Sequence, residues 1–102
     1  MSNFKDKIFL VTGAGSIGSV IIKKLLSLDV RQVRCYDISE YSLYKLQSSL
    51  PADVGNVRYL IGDIRDKERL SRSMKDVDCI IHTAALKHVS FCEYNQIGRA
   101  HV

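Results

Sequence analysis

The residues Gly13-Ala14-Gly15-Ser16-Ile17-Gly18 space three glycines as G-x-G-x-x-G. Alone the pattern says little. Here it follows the apolar run Ile8-Phe9-Leu10-Val11-Thr12 and opens a stretch of helical apolar periodicity, the context in which such a loop cradles a pyrophosphate. Gly13 permits the tight turn, Gly15 lets the backbone approach the phosphates, and Gly18 lets the helix pack against the strand. The unpaired N–H groups at Ser16 and Ile17, with the positive end of the helix dipole, then face the anion. A glycine-rich turn without a ligand is the plain alternative.

Asp37 lies nineteen positions after Gly18, at the end of a second apolar run. A carboxylate there accepts hydrogen bonds from ribose hydroxyls and repels a 2′-phosphate, which favours NAD over NADP. Ser39 and Lys45 lie near enough to soften that preference, so NADP stays possible. Asp37 could equally cap the next helix, and the two roles are compatible. Further on, Asp63 of Gly62-Asp63-Ile64 can bond an adenine amino group while Ile64 packs on the ring, or Asp63 can form a local turn. In Thr83-Ala84-Ala85 the small residues leave room for a dinucleotide to cross the sheet edge.

These residues need elements to hold them. Strands are expected at Ile8–Thr12, Val33–Asp37, Val57–Ile61 and Asp78–His82. Helices are expected over Ser16–Leu28 (Ile17, Val20, Ile21, Leu25 and Leu28 inward), Ser39–Leu50 (Ser39 as N-cap, Leu43, Leu46 and Leu50 inward) and Asp66–Met74 (Asp66 as cap). The order β-α-β-α-β-α-β implies an α/β fold: a parallel Rossmann-type sheet, strand order 3-2-1-4, truncated to its first half. Ligands of such a sheet sit beyond the carboxyl ends of strands one and four, where the winding reverses.

The chain's 102 residues suit one small domain, and 46% hydrophobic with 25% charged residues is an ordinary globular balance. There is no apolar run approaching the roughly 18 residues of a membrane span. The polar N-terminus argues against a secretory signal, so a cytoplasmic protein without membrane contact is expected. Cys35, Cys79 and Cys92 lack metal-like spacing and read as reduced thiols. The net charge of +4 comes from residues spread along the chain, Arg34, Arg58, Arg69 and Arg72 among them. Interleaved acids suggest solvated helix faces rather than a nucleic-acid surface, and the modest positive field suits a phosphorylated ligand.

Gly62-Asp63-Ile64-Arg65-Asp66, and Ala84-Ala85-Leu86-Lys87-His88-Val89 running into Cys92-Glu93-Tyr94-Asn95, add to the loop and Asp37. Over Lys7 to Gln96 the chain resembles the extended short-chain dehydrogenase/reductase family. The Leu-Lys-His-Val and Glu-Tyr-Asn segments resemble its polysaccharide-biosynthesis branch, which contains UDP-N-acetylglucosamine 4,6-dehydratases and related epimerases. The glycine loop departs from that branch's T-G-x-x-G-x-x-G by one residue fewer. The resemblance implies cofactor contacts from Gly13, Gly15, Ser16, Ile17, Gly18, Asp37, Asp63, Ile64, Ala84, Ala85 and Lys87. Lys87, His88, Glu93 and Tyr94 would line the sugar or nicotinamide-ribose region, or pack a loop and the next helix. It further implies a nucleotide-sugar substrate and a homo-oligomeric parent. In the implied reaction bound NAD(P)+ takes hydride from the sugar C4, a tyrosine removes the C4 hydroxyl proton, water leaves across C5 and C6, and hydride returns to C6. A nucleotide-sugar 4-epimerase, or a non-catalytic dinucleotide-binding sensor or interaction module, remains the alternative.

The family's Tyr-x-x-x-Lys follows strand five, beyond this chain, so no catalytic residue is assigned. Tyr41-Ser42-Leu43-Tyr44-Lys45 matches the pattern literally but sits on the second helix, at the adenosine end, away from the reacting carbon. His82 and His88 have no acids or cysteines at ligand spacing, so no metal site is expected. Ile97-Gly98-Arg99-Ala100-His101-Val102 resembles the translation of a sequencing-library adapter, ATC GGA AGA GCA CAC GTC, a natural short paralogue with a polar tail being the plain alternative. Residues 1–96 are therefore expected to be the N-terminal half of an NAD(P)-binding domain and 97–102 a non-native tail. Strand four would then be an apolar edge with no partner.

Overall fold

A computed structural model describes residues 4–84 and 89–94. A 3-10 turn at Phe4–Asp6 leads into β1 (Ile8–Thr12), followed by α1 (Ser16–Ser27), β2 (Gln32–Asp37), α2 (Glu40–Ser49), β3 (Val57–Ile61), α3 (Lys67–Ser73), β4 (Cys79–Ala84) and β5 (Val89–Tyr94). The sheet order is β3-β2-β1-β4-β5. The first four strands are parallel, in the 3-2-1-4 order expected of a Rossmann half.

Continuous apolar runs become the central strands because helices cover both faces of a parallel sheet. Alternation along β1 sends Phe9 and Val11 to one side, where they meet Val33 and Cys35 of β2, Ile22 and Leu25 of α1, and Leu43 and Leu46 of α2. Leu10 faces the other way, with Tyr36, Val77 and Ile80, against Leu70 and Met74 at α3. Thus α1 and α2 cover one face and α3 the other.

Two helix starts follow their sequence signals. The Ser39 side chain accepts from the Ser42 N–H, and Asp66 accepts from the Arg69 N–H. The buried stripe of α1 is rotated from expectation: Gly18, Ile22 and Leu25 are its buried residues, while Val20 is 67% exposed. The close approach at Gly18 sets that rotation, because Ile22 and Leu25 lie one and two turns along the same face.

β4 departs from expectation in two ways. It continues through Thr83 and Ala84, and it is not an unpaired edge, because β5 pairs with it antiparallel from Cys79↔Tyr94 to Ala84↔Val89. That pairing supplies ladder partners for Thr83 and Ala84, which were expected to follow the strand. Cys35 is buried with a free thiol, whereas Cys79 is disulfide-bonded, so the expectation of three reduced thiols does not hold. Among the described residues no helix is long and apolar enough to cross a membrane.

Candidate functional site

The turn after β1 is shaped by what its glycines touch. Gly13 has φ +101°, a left-handed backbone that favours glycine, and an added Cβ would collide with Thr83 Oγ1. Its N–H donates to the Tyr36 carbonyl at 2.8 Å, so the turn is pinned across β2. A Cβ on Gly18 would run into the Gly13 carbonyl, so the helix start lies directly against the turn. At Gly15 a Cβ would meet no atom within 4 Å. The loop is therefore packed tight at its two ends and open in the middle.

Gly15 is the N-cap of α1 and offers no side-chain cap. There is also no acid in the first turn. The N–H groups at Ser16 and Ile17 thus begin a helix with neither a side-chain cap nor an acid in its own first turn, where an anion is favoured. A cleft of about 370 Å³ opens here, lined by Gly15 and Ser16 and by Lys23 and Lys45. The two ammonium groups add to the positive end of the helix.

Asp37 stands at the end of β2, half-buried. Its Oδ2 accepts from the Ala14 N–H at 2.7 Å and its Oδ1 from the Ser39 N–H at 2.9 Å. It therefore joins the glycine loop to the backbone just ahead of α2, whose N-cap is Ser39. Each oxygen keeps a second lone pair for an outside donor. Ile38 beside it is 63% exposed.

Asp63 lies past β3, where the carboxylate is taken up locally. It accepts from the Arg65 N–H at 2.8 Å and from Arg65 Nη2 at 2.8 Å. These bonds from Arg65 hold the Asp63 carboxyl down at about 2. The turn alternative is thus present in the structure, and Ile64 beside it is 58% exposed. The fully buried Tyr36 positions this turn by donating from Oη to the Asp63 carbonyl at 2.9 Å. A Cβ on Gly62 would collide with Tyr36 Oη, so glycine is required above that ring.

Thr83 closes the site from β4. Its hydroxyl donates to the Thr12 carbonyl at 2.6 Å and sits under Gly13. From the sequence Thr83 reads only as a small residue leaving room for the dinucleotide, and Tyr36 takes no role. The one available signal was their place at the carboxyl ends of strands, where polar residues do not belong to the core pattern. Ala84 belongs to β4 itself. Ala85, Lys87 and His88 lie outside the described residues, as does the stretch 97–102. Tyr41 and Lys45 come together on α2, with Lys45 Nζ 5.4 Å from the ring centroid, and Tyr41 is 66% exposed. His82 Nδ1 lies 3.1 Å from Thr12 Oγ1. Among the described residues no group of three His, Cys, Asp or Glu could hold a metal ion.

Comparison with known proteins shows the family of this chain. The family described as "Polysaccharide biosynthesis protein" matches residues 9–101. An uncharacterised membrane protein of Methanocaldococcus jannaschii is 50% identical over 97 residues, covering 93% of this chain and 28% of that protein. A UDP-N-acetylglucosamine 4,6-dehydratase (inverting) of Campylobacter jejuni is 42% identical over 92 residues, covering 89% of this chain and 27% of the enzyme. The crystal structure of dTDP-glucose 4,6-dehydratase from Bacillus anthracis in complex with NAD superposes with a TM-score of 0.65 at 31% identity, over 76% of this chain and 26% of that one. The chain therefore spans a little over a quarter of the curated relatives it matches.

Proposed function

We propose, since this chain belongs to the polysaccharide biosynthesis protein family, that it forms the N-terminal half of the dinucleotide-binding domain of an enzyme acting on nucleotide sugars. The finer reading is a 4,6-dehydratase of the UDP-N-acetylglucosamine type that uses NAD. Similarity to the UDP-N-acetylglucosamine 4,6-dehydratase supports the finer reading, and one observation carries the dinucleotide binding. The uncapped start of α1 and the Asp37 carboxylate are locked side by side through the Ala14–Asp37 hydrogen bond. A pyrophosphate and the ribose next to it need donors and an acceptor in that adjacency.

The residues present fit a nicotinamide dinucleotide. Gly15, Ser16 and Ile17 offer backbone donors to the pyrophosphate, and the open space at Gly15 admits it. Asp37 accepts from the ribose hydroxyls, while exposed Ile38 and Ile64 offer apolar surface to the adenine. Asp37 disfavours a 2′-phosphate, so NAD is the cofactor we assign. When bound, the cofactor supplies the redox chemistry, taking a hydride from the sugar and returning it. This part of the protein binds and orients, and the proton-transferring residues belong to the rest of the enzyme.

The test is incubation of the full-length protein with UDP-N-acetylglucosamine and NAD, with products followed by NMR. A 4-keto-6-deoxy sugar nucleotide is expected. A product epimerised at C4 that keeps its C6 oxygen would replace the dehydratase reading by the epimerase. Dinucleotide binding without any turnover would leave a binding module.

A further inference from the structure

A second concentration of positive charge lies away from the glycine loop. Arg34 on β2 and Arg58 on β3 are direct cross-strand partners. Arg69 and Arg72 stand one turn apart on α3. All four line a cleft of about 250 Å³ together with Leu60 and Ser73. It shares no lining residue with the cleft at the loop, and α3 covers the opposite sheet face from α1 and α2. These arginines are therefore not the independent solvated helix faces that their spacing suggested. Two stand on strands and converge with the other two.

The cleft has a fixed floor. Arg34 is 9% exposed, and its Nη1 donates to the Ser73 and Lys75 carbonyls at 2.8 and 2.7 Å while Nε donates to Gln32 Oε1 at 2.7 Å. The other terminal nitrogen, Nη2, makes no hydrogen bond among the described residues. Arg69 spends its Nε on the Ile61 carbonyl at 2.6 Å, which leaves its terminal nitrogens for the cleft. No Asp or Glu is among the described residues lining it. Like charges directly opposite across strands are unfavourable. Burial pushes the Arg34 guanidinium below its ordinary value, Arg58 pushes the same way, and Asp76 opposes them with the smallest effect. Charge this poorly compensated, held in place by the hydrogen bonds of Arg34, is relieved by an anion. Planar guanidinium forks match the oxygens of phosphate groups.

We propose that the cleft between α3 and the β2–β3 strands is a binding site for a diphosphate group, independent of the glycine loop. Guanidiniums on two sides of the cleft suit oxygens carried on two phosphorus atoms. The group can arrive as free pyrophosphate or as the diphosphate of a nucleotide.

The experiment is calorimetric titration of the full-length protein with inorganic pyrophosphate, and separately with ADP, at about 150 mM salt so that diffuse attraction is screened. Saturable binding is expected for at least one of them. It should weaken about tenfold or more in Arg58→Gln/Arg72→Gln, two exposed positions, while NAD affinity is unchanged. Arg58→Lys keeps the charge and loses the fork, and should give an intermediate loss even if the double variant folds poorly. Binding of pyrophosphate identifies the free ion as sufficient. Binding of ADP alone, with the same arginine dependence, identifies the nucleotide-borne group. Absence of saturable binding by both, binding that survives Arg58→Gln/Arg72→Gln, or binding abolished only by Gly15→Ala would overturn the proposal.

Discussion

The Ala14 N–H donates to Asp37 Oδ2 at 2.7 Å, so the acid at the end of β2 is tied to the glycine loop before any ligand arrives. The Ser39 N–H holds the other oxygen at 2.9 Å. A carboxylate fixed by two backbone donors loses little freedom on binding, and that preorganisation favours the bound state. Asp37→Ala is expected to weaken NAD binding by about 10- to 100-fold, the range for a lost hydrogen bond to a charged group. Asp37→Asn should fall between and narrow the gap between NAD and NADP, because the charge that repels a 2′-phosphate is gone. Titration of the full-length protein with both cofactors measures this. An Asp37→Ala variant with unaltered NAD affinity would mean the ribose is held elsewhere.

The three loop glycines should separate folding from binding. Gly13→Ala meets Thr83 and strains a backbone at φ +101°, and Gly18→Ala meets the Gly13 carbonyl. Each is expected to destabilise by about 2 kcal/mol or more. Gly15→Ala meets nothing within 4 Å. Its effect on stability should stay within about 0.5 kcal/mol, while dinucleotide affinity falls because the methyl occupies the space a phosphate needs. Urea unfolding and cofactor titration on the same variants give the two readouts. Equal losses of stability across the three would contradict this division.

Much of the fold is legible in local signals. Alternating apolar runs and helical periods give the order of β1 to β4, and Ser39 and Asp66 announce their helices because capping is decided within one turn. Asp37 is legible because strand ends and spacing from the loop are local too. What depends on neighbours is not. Asp29 and Asp76 take left-handed φ values of 61° and 66°, turns that glycine would have signalled. Thr83 under Gly13 and Tyr36 under Gly62 are contacts between segments far apart in sequence. The pairing of β5 with β4 is likewise a tertiary choice, and so is the convergence of Arg34, Arg58, Arg69 and Arg72.

The Tyr36–Gly62 pair offers a test of coupling. Tyr36→Phe removes the 2.9 Å bond to the Asp63 carbonyl and is expected to destabilise by about 1 kcal/mol. Gly62→Ala forces a methyl against that phenol and to within 2.9 Å of Arg69 Cδ, which should destabilise by about 1–3 kcal/mol. In the Tyr36→Phe background the methyl has one fewer atom to displace. The double variant should therefore be more stable than the sum of the two losses implies. Strict additivity in denaturant unfolding would show that the phenol does not govern the Gly62 position.

Cys35 gives an expectation in pH. Burial pushes its thiol up from 9.0 to about 12, so the fold favours the neutral form. A group whose value is raised on folding contributes stability fully below its unfolded value and loses it as pH climbs toward the folded one. Unfolding free energy should therefore fall between pH 9.0 and about 12 by an amount that Cys35→Val abolishes. The same burial should shield the thiol chemically. At about pH 8, iodoacetamide should leave Cys35 unmodified in the native protein and modify it in urea, because the thiolate is the reacting species. Mass spectrometry of the Cys35 peptide decides it: rapid labelling under native conditions would mean that β2 opens far more readily than its packing between α1, α2 and the neighbouring strands allows.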